Sequence, residues 1–168
     1  IMSMDKLYPY MTEISLEDIV SAIQIQNAFE LVEDVEGLFT SKTTVFDAKL
    51  EINIIEKGIE FRVEMEVPTI DSIVLEEVEP IIKEGWLETF SLRLEDIGGA
   101  VQNKFDSVEI ELKNEKKVVI IIEFSSESIN RGIGDAKAIV DYIEGTYREG
   151  IIPGFKYDKM VADLIGYF

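Results

Sequence analysis

From Ile59 to Val67 the chain alternates without a break. Ile59, Phe61, Val63, Met65 and Val67 are apolar; Glu60, Arg62, Glu64 and Glu66 are charged. A period of two sends successive side chains to opposite faces of a strand, so one face can enter a core while the other meets water or a partner. Just upstream Leu50, Ile52 and Ile54 alternate with Glu51 and Asn53, and Lys57-Gly58 can make the turn between the two runs. Together they predict an antiparallel hairpin.

A second hairpin follows the same logic. Val108, Ile110 and Leu112 alternate with Glu109, Glu111 and Lys113, and Asn114-Glu115-Lys116 turns the chain. Residues 117–124 are apolar on both faces until Glu123, the pattern of a strand covered on both sides.

Helices fill the remaining length. Ser15 and Asp18 form a capping-box pattern ahead of an apolar run that reaches Val35, and Gly37 offers a stop, predicting a helix over 15–36. Asp71 or Ser72 can open a second helix running to Glu84, with Gly85 as its stop. Pro80 falls inside it and predicts a kink or a break before it, because proline costs about 3 kcal/mol in a helix interior. Residues 87–97 read equally as strand or helix. Ser125 to Gly134 reads as a loop, Asp135 to Glu149 as a helix ending at Gly150, and Tyr157 to Phe168 as a last short helix. Residues 1–13 are mixed and read as an arm.

The two halves resemble one another. Residues 76–90 (EEVEPIIKEGWLETF) align without a gap on 141–155 (DYIEGTYREGIIPGF), matching Glu79 with Glu144, Glu84 with Glu149, Gly85 with Gly150 and Phe90 with Phe155. Each copy follows a hairpin. The expected fold is therefore one α+β domain over 1–168: an N-terminal helix, then two similar hairpin–helix units, about 45–99 and 105–168. They share a largely antiparallel sheet with helices on one face.

Composition narrows the chemistry. The chain has no cysteine and no histidine. That removes thiolate and imidazole metal sites, thiol nucleophiles, disulfides and any Ser-His-Asp arrangement, leaving carboxylates, Lys, Arg, Tyr, Ser and Thr. No catalytic residue, resident metal or cofactor is expected. The longest apolar run, Val118 to Ile122, is of strand length, far below the ~20 residues of a membrane helix. A net charge of −18 disfavours nucleic acid and anionic membranes and favours basic partners. The absence of cysteine fits a cytoplasmic protein.

Two groups of residues are candidate sites. Glu60, Glu64, Glu66, Glu109 and Glu111 share an outward face if the hairpins join one sheet, where same-face neighbours lie about 6.5–7 Å apart along a strand. Such a surface attracts Lys and Arg; its plain alternative is a solvated face, which Arg62, Lys49 and Lys113 interrupt. The second group would bind a small ligand between the two units: Glu84, Trp86, Arg148 and Glu149 at the aligned turns, and Arg131 in a glycine-containing loop that could hold an anion at a helix start. Its alternative is ordinary helix capping.

The order helix, hairpin, helix, hairpin, helix in a small acidic chain resembles that of the type III secretion chaperones. That resemblance implies a homodimer binding an extended partner segment. The leading expectation is a non-enzymatic interaction protein, chaperone- or immunity-like, that recognises a basic protein or peptide. Self-association is expected through the apolar tail Leu164–Phe168 and through Ile59–Val67 as an edge strand. The alternative is a small-ligand or carboxylate-based, Mg²⁺-dependent enzyme domain.

Overall fold

The computed structural model describes residues 14–165. The expected arm over 1–13 and the tail residues 166–168 lie outside the described residues.

The chain runs α1 (Leu16–Gln26), β1 (Phe29–Leu31), β2 (Leu38–Ser41), β3 (Ala48–Ile55), β4 (Gly58–Pro68), α2 (Ile70–Ile73) and α3 (Pro80–Leu94). A 3₁₀ stretch (Glu95–Ala100), β5 (Phe105–Lys113), β6 (Lys117–Ser126), α4 (Ile129–Glu149) and α5 (Lys159–Ile165) complete it. The six strands form one antiparallel sheet in the order β1-β2-β3-β4-β6-β5. This is the α+β architecture expected, an N-terminal helix and an antiparallel sheet with helices packed on it. It carries an added β1–β2 pair that the helix–hairpin order did not include.

Both hairpins lie where the alternation puts them. In β4 Ile59, Phe61, Val63, Met65 and Val67 are all buried, opposite Ser126, Phe124, Ile122, Ile120 and Val118 of β6. The turn after β5 places Asn114 and Glu115 at φ 53° and 58°, the paired left-handed conformation that suits the twist of a hairpin. Ile59–Val67 is the exception to the expected role. It pairs with β3 on one side and β6 on the other, so it is a central strand and not an edge open to a second copy.

Helix α4 lies across β4 and β6, with α1 and α3 packed against its flanks. Ile133, Ala136, Ile139, Val140, Ile143 and Tyr147 form its buried stripe. Gly132 sits against the Phe61 ring; a Cβ there would come within 2.1 Å of Phe61 Cζ, so glycine sets how closely helix and sheet approach.

Four boundaries differ from the sequence reading. The capping box forms as expected, Ser15 Oγ accepting from Asp18 N–H at 3.2 Å and Asp18 Oδ2 accepting from Ser15 N–H at 2.9 Å. The helix nevertheless ends at Gln26, because Asn27 takes the left-handed conformation (φ 52°) and Phe29 turns into the core as a strand. Gly37 is not a helix stop. It enters β2 at φ +74°, where a Cβ would lie 2.6 Å from the Ile52 carbonyl oxygen. The expected break before Pro80 is present, but it separates two helices: residues 74–79 are not helical, and Pro80 opens α3 in its first turn, where its missing N–H has no helical partner to lose. The helix then continues through Gly85 and the ambiguous 87–94 segment, burying Trp86, Phe90 and Leu94. Finally, α4 starts at Ile129, capped by Ser128, whose Oγ accepts from Arg131 N–H, so residues 130–134 are helical turns and not a loop.

These shifts break the proposed repeat. Gly85 is interior to α3, whereas its aligned partner Gly150 caps α4, donating to Thr146 and Tyr147 carbonyls. Pro80 opens a helix and Gly145 lies inside one. Only the strands, in the order β3-β4-β6-β5, have the arrangement two related hairpins would give.

Candidate functional site

The face of the sheet opposite the helices is built by parity. Rows run across it through paired residues: Glu51–Arg62–Glu123–Ser107, Lys49–Glu64–Ile121–Glu109, and Glu66–Val119–Glu111. Glu60, beside Ser125, shares that side. The register thus brings Glu60, Glu64, Glu66, Glu109 and Glu111 onto one face, though β6 separates the first three from the last two.

Their electrostatics are unequal. Arg62 sits at the centre, 3.7 Å from Glu51, 3.4 Å from Glu64 and 3.6 Å from Glu123. Glu66 is flanked by Lys113 at 3.9 Å and Lys117 at 3.6 Å. Glu60, Glu109 and Glu111 have no ion pair among the described residues. Half-exposed pairs of this kind are worth about 0–1 kcal/mol each, so they order the centre of the face more than they stabilise the fold. The uncompensated acid lies at Glu60 and along β5.

The buried carboxylates serve another purpose. Glu144, on the buried stripe of α4, accepts from Val45 N–H at 2.6 Å and Phe46 N–H at 3.1 Å, pinning the β2–β3 connection. Burial pushes its carboxyl above the usual range, and the two amides oppose that shift. Nine residues earlier, Asp135 accepts from Gln102 N–H at 3.0 Å, Asn103 N–H at 2.8 Å and the Asn103 side-chain amide at 2.8 Å. Both acids clamp loops to the same helix. Sequence reading missed this role, although Glu144 falls between Val140, Ile143 and Tyr147 on an otherwise apolar stripe, which was the available signal.

Tyr147 is the hub where elements meet. Its ring takes edge contacts from Phe46, Trp86 and Phe90, and its hydroxyl donates to the Pro68 carbonyl at 2.8 Å. Burial drives its phenol well above the ordinary range. It is therefore a neutral core donor to the Pro68 carbonyl.

Beside this hub a cleft of about 370 Å³ lies between α3 and the end of α4, lined by Gly85, Trp86, Arg93, Glu149, Gly150 and Ile152 among others. Of the expected ligand-binding residues, the structure brings Trp86 and Glu149 together here. Glu84 and Arg148 are exposed and do not line the cleft, and Arg131 lies exposed in the first turn of α4. The Trp86 indole N–H is buried with no hydrogen-bond partner among the described residues. Among the described residues no group of three or more acidic side chains is arranged to hold a metal ion. No helix of the described residues is long and apolar enough to cross a membrane.

A family model described as a family of unknown function, DUF5813, matches residues 24–167, from within α1 to beyond α5. The match covers most of the chain, and the chain belongs to this family. No match is found among curated proteins.

Proposed function

We propose that this chain is a non-enzymatic interaction protein whose acidic sheet face recognises a basic protein or peptide. One observation carries the reading. Five glutamates share the face that no helix covers, and Glu60, Glu109 and Glu111 keep their charge uncompensated among the described residues. Complementary charge of this kind chiefly speeds encounter and selects against wrong partners. A cysteine-free, strongly acidic chain suits a cytoplasmic setting for that binding. A homodimer remains part of the proposal only through surfaces other than β4, which is paired on both edges.

The test is charge reversal with an oligolysine peptide as the probe. Glu109→Lys/Glu111→Lys should abolish capture at low salt, while Glu33→Lys/Glu36→Lys, in the exposed connection before β2, should leave most of it. Equal loss in both pairs would reduce the acidity to a general solubility trait.

A second reading has its own observation, the unpartnered Trp86 indole N–H beside a cleft holding Arg93 and Glu149. It assigns a small-ligand site, or a Mg²⁺-dependent one, between α3 and α4. Trp86 is the only tryptophan, so its emission reports directly on the cleft. Emission unchanged by Mg²⁺ would overturn the metal-dependent form.

A further inference from the structure

β5 is the outer strand of the sheet, and its nine residues extend about 30 Å. The opposite edge, β1, has three residues. β5 packs on β6 and makes no comparable contact with any helix. Its register sets Val108, Ile110 and Leu112 on the helix side, opposite the buried Ile122, Ile120 and Val118. Yet these three side chains are 46%, 37% and 47% exposed, while the equivalent row of β4 is sealed. The other side of the same strand presents the uncompensated Glu109 and Glu111.

An edge of this kind offers three recognition elements at once. Among the described residues it has unpaired backbone donors and acceptors, an apolar row on one side and an acidic row on the other. We infer that β5 accepts an extended segment of the partner as a seventh strand, with apolar side chains alternating with Lys or Arg. The inference rests on the reading of the acidic face given above and specifies how that face is used.

Charge argues against a second copy of this chain as the occupant. The two-fold antiparallel register that matches most of the strand sets Val108 opposite Leu112 and Ile110 opposite itself. It then places Glu109 opposite Glu111 twice, and like charges directly opposite are destabilising. A shift that pairs Glu109 with Lys113 puts Glu111 against Glu111, and Val108 falls opposite Asn114 in the turn. Each copy also brings a net charge of −18. A segment with apolar residues facing Val108, Ile110 and Leu112 and basic residues facing Glu109 and Glu111 meets none of these conflicts.

The test uses the full chain and synthetic peptides as long as β5: alternating valine and lysine, oligolysine, and the valine–lysine peptide N-methylated on every second amide in either phase. The valine–lysine peptide should bind at least about tenfold more tightly than oligolysine. One of the two methylated phases should lose that advantage, because only alternate amides of an added strand face its neighbour. Val108→Lys/Ile110→Lys, at exposed positions, should remove the advantage while leaving weak, salt-sensitive oligolysine binding; an unchanged thermal midpoint verifies folding. If both peptides bind equally, or neither methylated phase matters, strand addition is overturned and the acidic-face reading stands. If neither peptide binds, both are overturned. A dimer that Val108→Lys/Ile110→Lys dissociates would assign the edge to a second copy and overturn the inference.

Discussion

β4 and, from Val108 to Lys113, β5 carry the same local pattern, apolar and charged residues in strict turn, and have opposite fates. The apolar side of β4 is buried along its whole length; that of β5 is open from Val108 to Leu112. Their difference comes from position. β4 lies under α4 with a strand on each side, whereas β5 ends the sheet and makes no comparable contact with a helix. Alternation states that a strand has an apolar face; the tertiary arrangement decides whether that face becomes core or contact surface.

The sharpest way to break this comparison is to place one charge in each strand. Val63→Lys buries an ammonium with no partner and should cost more than about 4 kcal/mol, enough to unfold the chain in a denaturant titration. Ile110→Lys should change stability by no more than about 0.5 kcal/mol. Comparable losses would mean that β5 is covered.

The next effect concerns the helix that seals β4. Glu144→Ala leaves the Val45 and Phe46 amides without an acceptor and should cost about 1–3 kcal/mol; Glu144→Gln keeps an acceptor and should cost less. The pH dependence has a definite sign. The folded carboxyl titrates above its ordinary value of 4.5, so between that value and its raised one the folded state binds more proton than the unfolded. Its contribution to stability therefore falls as pH rises through this window. Denaturant titrations across it should show that slope in the wild type and a flatter one in Glu144→Gln.

Two glycines give a smaller contrast of the same kind. Gly132→Ala drives a methyl into the Phe61 ring and should destabilise by about 1–3 kcal/mol. Gly85→Ala, with open space around it in the interior of α3, should stabilise by about 0.5–1 kcal/mol. Smallest of all, Arg62→Met should shift the thermal midpoint little, since its three partners are exposed or half-exposed.

Both hairpins were legible in the sequence: nine residues of alternation from Ile59 to Val67 have no helical reading, and the shorter alternations at 50–54 and 108–113 each lead through a turn into a second strand-like run. So was the sharing of one face by Glu60, Glu64, Glu66, Glu109 and Glu111, which follows from parity. Helix ends were less legible, since each depends on what a residue meets. Asn27 turns left-handed because Phe29 has a core to enter, and Pro80 is harmless because the helix starts there. Nor could spacing tell which strands are neighbours. Only the order β4-β6-β5 brings Lys113 and Lys117 to Glu66, and leaves Glu109 and Glu111 as the charged residues of an edge.

Amide hydrogen exchange, read strand by strand, tests most directly the claim that β4 is sealed and β5 is a working edge. In the free chain, alternate amides of β5 should exchange orders of magnitude faster than any amide of β4 between Ile59 and Val67. Adding the valine–lysine peptide should slow those β5 amides and leave β4 unchanged. Amides of β5 as slow as those of β4 without peptide, or unaffected by saturating peptide, would contradict the account.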